Sequence, residues 1–161
     1  MWPFPRVLSI LPLAHSPKRS ILQDNMIKIQ IKNGVLINYT GHDTNVIIPD
    51  NVTKIGDRVF FCCSCPTSIT IPNSVTKIGN YVFYNCYNLL NVTIGNSITS
   101  ISARAFSECS SLTNIIIPDS VIAIGDRAFS GCSNLINVVI PKNTILGNNV
   151  FDKCTNLKHQ F

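Results

Sequence analysis

The residues that could do chemistry in this 161-residue chain are seven cysteines, three histidines and eight carboxylates. Three of the cysteines crowd into one short run, Cys62-Cys63-Ser64-Cys65. A structural zinc ion takes four ligands, commonly two cysteine pairs or a cysteine pair with a histidine pair. The sequence offers no second cysteine pair and no nearby histidine to complete such a set, so we predict no metal site.

The sequence also lacks the patterns of a catalytic site. The histidines, His15, His42 and His159, lie far from one another along the chain. Asp57 and Asp126 each follow a glycine at the start of an expected helical turn, where an aspartate suits the N-cap position. Neither a glycine-rich phosphate loop nor a nucleophile elbow occurs. We therefore expect no enzymatic activity and no cofactor.

The elements that must position these residues form a repeat. Phenylalanine recurs every 23 residues and once after 22, and a cysteine follows each of these phenylalanines three positions later. A period of this length is typical of a solenoid, because one unit cannot bury its own apolar face and must stack on the next. The recurring residues are Phe60, Phe83, Phe106, Phe129 and Phe151, with Cys63, Cys86, Cys109, Cys132 and Cys154.

Each unit has three predicted parts. A strand such as Val92-Thr-Ile94 comes first, and a second extended run such as Val75-Thr-Lys-Ile78 ends at a glycine that would let the chain turn sharply. A single helical turn then places phenylalanine and cysteine on one face. In parallel rungs ~4.8 Å apart, the cysteines would form a column that points into the core. We predict buried free thiols there, because a disulfide needs Cβ atoms that face each other.

Composition fits one folded domain and excludes several kinds of partner. Hydrophobic residues make up 45% of the chain and charged residues 13%, which is apolar enough to build a core. The net charge of +5 is dispersed, whereas a nucleic-acid-binding protein presents a clustered basic face. No apolar stretch approaches the ~20 residues of a membrane-spanning helix. We expect neither a nucleic-acid partner nor a membrane span.

The first predicted region is an extension, residues 1–25, which does not match the repeat. Its apolar run from Val7 to Ala14 gives a weak likeness to a signal peptide, but Pro12 interrupts that run. The alternative that we favour is a poorly ordered extension ahead of a natural start at Met26.

Two further regions follow. Residues 26–48 are predicted to form an N-terminal cap and the first strand. Within them Asn33-Gly34 separates two short apolar runs and predicts the turn of a β-hairpin. Residues 49–161 are predicted to form the solenoid itself. An end unit unlike the others is expected, because the first rung would otherwise expose its edge and its apolar core.

The repeat resembles a known family. C-S-N-L-I-N-V-V-I-P at 132–141 and S-V-I-A-I-G-D-R-A-F-S-G-C at 120–132 are similar to BspA-like, or treponemal-type, leucine-rich repeats. G-V-L-I-N-Y-T-G at 34–41 is similar to the cap of that family. The resemblance covers residues 26–161. Pro66, at a position where other units have leucine, departs from the pattern and predicts a local distortion.

The resemblance implies an α/β leucine-rich-repeat solenoid that is mainly β. It would be a curved stack of ~23-residue units with parallel strands, short helical turns and a hairpin cap. A parallel sheet would cover one side. The family is found largely on cell-surface and secreted proteins of mucosal bacteria and protists. Its usual proposed role is binding to host matrix proteins or to other cells, without catalysis.

The outward strand positions form two candidate binding columns. Amide and hydroxyl groups beside apolar ones suit a protein or glycan ligand, since few charges must be desolvated. Ordinary strand preference explains the same residues equally well. The first column is Asn45, Ser68, Asn91, Asn114 and Asn137, and the second is Ile47, Thr70, Thr93, Ile116 and Val139. A separate column, Arg58, Arg104 and Arg127, with Tyr81 in its vacant slot, suits an acidic partner or is solvated and offset by Asp57 and Asp126.

We therefore expect a non-enzymatic binding module that acts in adhesion or recognition at a cell surface or after secretion. The alternative is a cytoplasmic scaffold for protein–protein interaction that uses the same face. Because the last unit ends at Leu157 without a polar cap, we also predict self-association through the C-terminal end, or stabilisation by sequence that follows in a longer protein.

Overall fold

The computed structural model describes residues 28–158. The extension at 1–25, His15 and His159 lie outside the described residues. The fold is mainly β, as predicted, and stacks units of about 23 residues as parallel rungs. Its strands are β1 Ile29–Lys32, β2 Val35–Tyr39, β3 Asn45–Ile47, β4 Lys54–Ile55, β5 Ser68–Thr70, β6 Lys77–Ile78, β7 Asn91–Thr93, β8 Ser100–Ile101, β9 Asn114–Ile116, β10 Ala123–Ile124, β11 Asn137–Val139 and β12 Ile145–Leu146.

Two sets of parallel strands run along the stack. The first set, which we call the front sheet, contains β3-β5-β7 and, separately, β9-β11. The second, the rear sheet, has the order β1-β2-β4-β6-β8-β10-β12. Residues pair with the residue one unit away, so that Val46 lies opposite Ile69 and Ile69 opposite Val92. The predicted parallel sheet is therefore present, and a second sheet of two-residue strands accompanies it.

The N-terminal hairpin has the predicted turn. Asn33 and Gly34 have φ values of 51° and 74°, as a tight hairpin turn of this type requires. β1 and β2 pair antiparallel, and β2 then pairs parallel with β4. The hairpin thus covers the edge of the rear sheet, while β3 begins the front sheet. The Tyr39 ring lies 4.7 Å from the Phe60 ring, so the cap also supplies the first member of the aromatic column.

Stacked phenylalanines form the centre of the core. Four of them are fully buried, and Phe151 in the last rung is half-buried. Their ring centroids follow one another at 5.2, 5.0, 5.2 and 5.5 Å, with nearly parallel planes. Isoleucines and valines from both sheets and one leucine from each central unit fill the space around the rings. Each interior rung therefore buries its side chains against two neighbours, and a terminal rung against one.

The cysteine column is a hydrogen-bonded element as well as an apolar one. Cys86, Cys109 and Cys132 are fully buried, Cys63 and Cys154 are half-buried, and all seven thiols are free. The Cys109 thiol donates to the Phe83 carbonyl at 3.0 Å, and the same bond recurs for Cys86, Cys132 and Cys154 at 3.0–3.1 Å. Each thiol therefore satisfies a buried carbonyl of the preceding rung, a role that sequence reasoning missed.

The predicted helical turn is wrong in its conformation. The segment is a run of turns in which two residues of every unit have positive φ, which a right-handed helix does not allow. Alternate N–H groups bond to the next rung: Arg58, Phe60 and Cys62 donate to carbonyls 22 residues ahead at 2.8–3.0 Å. The N–H groups of Phe61 and Cys63 donate three residues back in their own rung, at 3.1 and 3.0 Å. The positive-φ residues are Arg58, Tyr81, Arg104, Arg127 and Asn149, and then Cys62, Asn85, Glu108, Gly131 and Lys153.

The aspartates predicted as N-caps and the glycines predicted to allow sharp turns have other roles in the structure. Asp57 Oδ1 accepts the N–H of Asn80 at 2.8 Å, one unit ahead, and Asp126 does the same for Asn148 at 2.7 Å. Gly79 does not have positive φ; a Cβ there would lie 2.6 Å from Asp57 Oδ1 and 2.9 Å from a backbone carbonyl oxygen. The glycine is needed because the preceding rung lies so close.

Pro66 changes the hydrogen bonding of its loop without interrupting the stack. It is buried at the position that leucine fills in other units. Having no N–H, it cannot make the bond that Leu89 donates to the Cys86 carbonyl at 3.0 Å. β3 and β5 still pair in register on either side of this loop, so the stack continues through it.

We expect Phe106→Ala to destabilise the protein by ~3–5 kcal/mol, because a central ring stacked on both faces is lost. Phe151→Ala should cost clearly less, since its half-buried ring stacks on Phe129 alone among the described residues. Urea midpoints of the two variants measure the difference. If Phe151→Ala were the more damaging, stacking on two neighbours would not be what stabilises the rungs.

Stability should fall as pH rises above about 9. Burial raises the pKa of Cys86 to about 12 and raises those of Cys109 and Cys132, while an unfolded thiol titrates near 9.0. Above that pH the unfolded chain loses protons that the folded chain keeps, which favours unfolding by up to ~1.4 kcal/mol per pH unit and thiol. Denaturation at pH 7, 9 and 10.5 measures this. Cys109→Ser keeps a donor without a thiol titration, so its dependence on pH should be shallower.

Candidate binding surface

The front sheet carries the predicted columns on its outer face. Strand pairing aligns the amide column and the Ile/Thr column rung by rung, and all their members are exposed or half-exposed. Ile47 is 72% exposed, Ile116 70% and Val139 59%. The outward placement predicted for these side chains is therefore present.

The front sheet is interrupted between β7 and β9. In the described part of the chain no backbone hydrogen bond joins these two strands, although β5–β7 and β9–β11 are fully paired. The rear strands β8 and β10 remain paired at the same step of the stack. A groove of about 360 Å³ opens at the interruption. The predicted binding residues Asn91, Thr93, Asn114 and Ile116 line it.

A departure from the repeat marks this place in the sequence. Gly95 lies two residues after the end of β7, at a position where the other units have proline. A Cβ at this glycine would lie 2.4 Å from the carbonyl oxygen of Pro72, so the backbone lies tightly against the preceding rung. This glycine therefore lies at the interrupted step of the stack, against the rung on the paired side.

The amides on the two sides of the groove differ in their bonding. Asn137 Nδ2 donates to Asn114 Oδ1 at 3.1 Å, and Asn114 Nδ2 donates to Thr113 Oγ1 at 3.1 Å. Across the groove, the Asn91 side chain has no hydrogen-bond partner among the described residues. The groove therefore has one pre-oriented amide wall and one amide that is available to a ligand.

A second groove, of about 750 Å³, lies between the cap and the first rung. Asn45 and Ile47 of the predicted columns line it, together with Tyr39. Lys28 and Asp43 on its wall form an ion pair at 3.4 Å. The predicted columns therefore contribute to grooves at two heights of the stack, and only the groove between β7 and β9 is flanked by repeat units on both sides.

The arginine column includes contacts between Tyr81 and two guanidinium groups that the sequence did not predict. Tyr81 lies between two guanidinium groups, those of Arg58 at 5.4 Å and Arg104 at 5.5 Å from its ring centroid. Arg104 Nη1 also donates to the Tyr81 hydroxyl at 2.9 Å. The expected offset by Asp57 and Asp126 is wrong, because those carboxylates accept backbone N–H groups and form no ion pair within residues 28–158.

A histidine lies beside the cysteine run, contrary to expectation. His42 Nδ1 is 3.4 Å from Cys65 Sγ, because the two residues are 23 positions apart and occupy equivalent positions in adjacent rungs. Counting in units of the repeat would have found this neighbour. No group of three or more His, Cys, Asp or Glu side chains between residues 28 and 158 is arranged to hold a metal ion.

Comparison with protein families agrees with the fold. The model of the BspA type leucine-rich-repeat region matches residues 29–158 in six copies. The chain belongs to the BspA-type leucine-rich-repeat family. Known members are non-enzymatic binding scaffolds, generally for protein interaction. No curated protein matches the sequence.

Solved structures show the same BspA-type architecture. A leucine-rich-repeat protein from Bacteroides ovatus is 34% identical, with a TM-score of 0.58, over 71% of this chain and 36% of that one. A leucine-rich cell-surface protein from Faecalibacterium prausnitzii is 26% identical (TM-score 0.53), over 81% and 51%. The pneumococcal vaccine antigen PcpA is similar in fold, with a TM-score of 0.68 at 22% identity, over 78% and 32%. The chain thus spans about a third of the B. ovatus protein.

The described part of this BspA-type chain contains no helix that is long and apolar enough to cross a bilayer.

Proposed function

We propose that this chain is a non-enzymatic recognition module that binds a protein or a glycan through the front sheet. The observation that carries the proposal is the groove between β7 and β9. Four of the nine residues expected to bind line this one opening, and they come from two adjacent units. The remaining five, Asn45, Ser68, Thr70, Asn137 and Val139, extend the same face toward both ends of the stack.

The chemistry of the groove suits a neutral ligand. The available Asn91 amide offers two donors and an acceptor, Thr93 adds a hydroxyl, and Ile116 supplies an exposed apolar surface. None of these residues is charged, so a ligand need not displace strongly held water from an ion. At about 360 Å³ the groove is near the lower end of ligand pockets. It would accept one side chain or one sugar ring of a larger partner.

The place of action that we propose is a cell surface or the extracellular medium. Support comes from the F. prausnitzii relative, which is described as a cell-surface protein and matches 81% of this chain. In this proposal residues 26–48 cap the stack and residues 49–161 present the binding face. Adhesion to host matrix proteins or to other cells would follow from such a location.

One observation favours the alternative, a cytoplasmic scaffold for protein–protein interaction. All seven cysteines are free, and free thiols are typical of proteins that stay in a reducing compartment. The same front sheet would then bind an intracellular protein. Locating the native chain by fractionation of its own cells separates the two candidates without affecting the assignment of the binding face.

A matched pair of substitutions tests the face. Ile116→Lys introduces a charge at the groove, whereas Ile122→Lys introduces one at a similarly exposed isoleucine beside β10 of the rear sheet. We expect Ile116→Lys to weaken binding by at least about tenfold, because a buried charge would lack a partner. Ile122→Lys should bind as the wild type does. The measurement is titration on a glycan array and on immobilised extracellular-matrix proteins, with folding checked by circular dichroism.

If both variants lose binding equally, or if neither does, the front sheet is not the binding face. If the wild type binds on neither surface, the extracellular proposal fails. Pull-down of cytoplasmic proteins with the same pair of variants then tests the scaffold directly.

For the isolated 161-residue chain we also propose self-association through the last rung of the described stack, and the alternative is that sequence following it in a longer protein stabilises this rung. In the described part β11 pairs only with β9 and β12 only with β10, so each leaves one edge without a partner. Ile140, Phe151 and Leu157 of the last rung are only half-buried. Exposed strand edges next to apolar surface pair readily with other chains.

Val139→Lys should reduce this association, since its side chain points outward from the edge strand β11 and a charge there opposes edge pairing. Thr70→Lys is the control, because β5 is paired on both sides. Light scattering across a concentration series reports the mass. A strictly monomeric wild type would contradict the proposal, as would association that Val139→Lys leaves unchanged.

A further inference from the structure

Two of the seven cysteines lie outside the core column, beside its first member. Cys62, Cys63 and Cys65 lie together in the first full unit, next to the cap. In the following unit the positions of Cys62 and Cys65 are occupied by Asn85 and Asn88. The two additional thiols are therefore a local feature of this unit and not a requirement of the repeat.

The cap and this unit bring the three sulfurs and a base together. Cys65 Sγ is hydrogen bonded to His42 Nδ1 at 3.4 Å. Cys63 lies two residues before Cys65 and lines the same cavity wall. A shallow cavity of about 250 Å³, open to solvent, is lined by His42 and all three cysteines. A small polar reagent can therefore reach the Cys65 sulfur.

The thiols of the column react poorly because they are buried and hydrogen bonded. Burial raises the pKa of the Cys86 thiol to about 12 and raises those of Cys109 and Cys132 as well. Their protons are directed to carbonyl oxygens of the preceding rung. Only the thiolate is a nucleophile, so these buried thiols are poor ones.

We propose that Cys65 is a reactive thiol that His42 activates, and that hydrogen peroxide, the simplest hydroperoxide, oxidises it to a disulfide with Cys63. His42 takes the thiol proton of Cys65. The thiolate attacks one peroxide oxygen, the O–O bond breaks, and a sulfenic acid forms while the leaving hydroxide takes up the proton as water. The Cys63 sulfur then displaces the hydroxyl of the sulfenic acid, and its own proton completes a second water. Two thiols lose two electrons, and one hydroperoxide is reduced.

The backbone permits this product. Residues two positions apart have Cα atoms at most roughly 7 Å apart. A disulfide takes Cα separations of about 4.4–6.8 Å. Burial raises the pKa of the Cys63 thiol as it does in the column, but no carbonyl among the described residues accepts its proton as the Phe60 carbonyl accepts that of Cys86. The disulfide would withdraw the Cys63 sulfur from the head of the column, so the first rung would respond to oxidants.

Exposure and activation make opposite predictions about which thiol reacts first. Cys62 is exposed, but its sulfur only accepts a long contact from the Asn85 amide, at 3.6 Å, and has no base beside it. Cys65 is only partly exposed and has His42 beside it. If exposure alone determined the rate, Cys62 would react first. The proposal requires Cys65 to react first.

The test measures the alkylation rate of each thiol and the disulfide formed on addition of hydrogen peroxide to the folded full-length chain. No lysine or arginine lies between Arg58 and Lys77, so one tryptic peptide carries all three cysteines, and fragmentation assigns each modification. We expect Cys65 to be alkylated first by iodoacetamide. Peroxide should give a product that lacks two hydrogens and links Cys63 to Cys65. Cys62→Ser should leave this product intact, while Cys63→Ser and Cys65→Ser should abolish it.

The role of His42 is tested with His42→Ala. We expect alkylation of Cys65 to slow by about tenfold, less than the ~100-fold of a well-enclosed acid–base pair, because this pair is open to water. Added imidazole should restore part of the rate, which it could not do if His42 only shaped the loop. His42→Gln gives the same comparison if the alanine variant does not fold.

Three results would overturn the proposal. One is faster alkylation of Cys62 than of Cys65. Another is a peroxide product that links Cys62 to Cys65 or that survives in Cys65→Ser. The third is a Cys65 rate that is the same with and without His42.

Discussion

Neighbouring rungs of this stack must keep the spacing of hydrogen-bonded strands, and every other feature depends on that distance. The phenylalanine rings follow one another at 5.0–5.5 Å, close to the ~4.8 Å between strands. At this separation a side chain meets its own counterpart in the next unit. Columns of identical residues result, because a residue that packs well on a copy of itself can be used in every unit.

The same spacing explains where the polar groups find partners. Thr76 Oγ1 donates to the Thr53 carbonyl and Thr99 Oγ1 to the Thr76 carbonyl, each at 3.2 Å and 23 residues apart. The carboxylate of Asp57 and the thiol of Cys109 likewise bond to a neighbouring rung. Some backbone groups bond within their own unit, as Leu89 does to the Cys86 carbonyl, but many of the others find their partners in a neighbouring unit. A single unit would leave these groups unpaired, so the units are stable only as a stack.

The period was sufficient to predict the core and insufficient to predict the turns. Phe106 and Cys109 were located from spacing alone, and Asn33-Gly34 predicted the hairpin turn from local chemistry. The helical turn and the N-cap at Asp57 were inferred from rules that seek partners within one segment, whereas the partner is one unit away. The positive φ of Arg58 could not be foreseen, because arginine has no preference for that conformation.

The candidate sites, like the core and the turns, were predictable from the sequence only in part. The outward columns follow from strand alternation, so their exposure was predictable. The interruption between β7 and β9 is a relation between two rungs, and Gly95 was its only sign in the sequence. The contact of His42 with Cys65 was in reach of the sequence, since both occupy one position of the repeat, but the cap had not been aligned with the units that follow it.

The interrupted step also gives the molecule a mechanical character. At that height β8 and β10 and the turn segments are bonded, with Arg104 donating to the Asp126 carbonyl at 2.9 Å, while the front strands are not. A stack of rungs bends most easily at a step where part of the hydrogen bonding between the rungs is missing. Bending about this joint would widen or narrow the opening between Asn91 and Asn114. A force along the stack would therefore change the affinity for a partner bound in this groove.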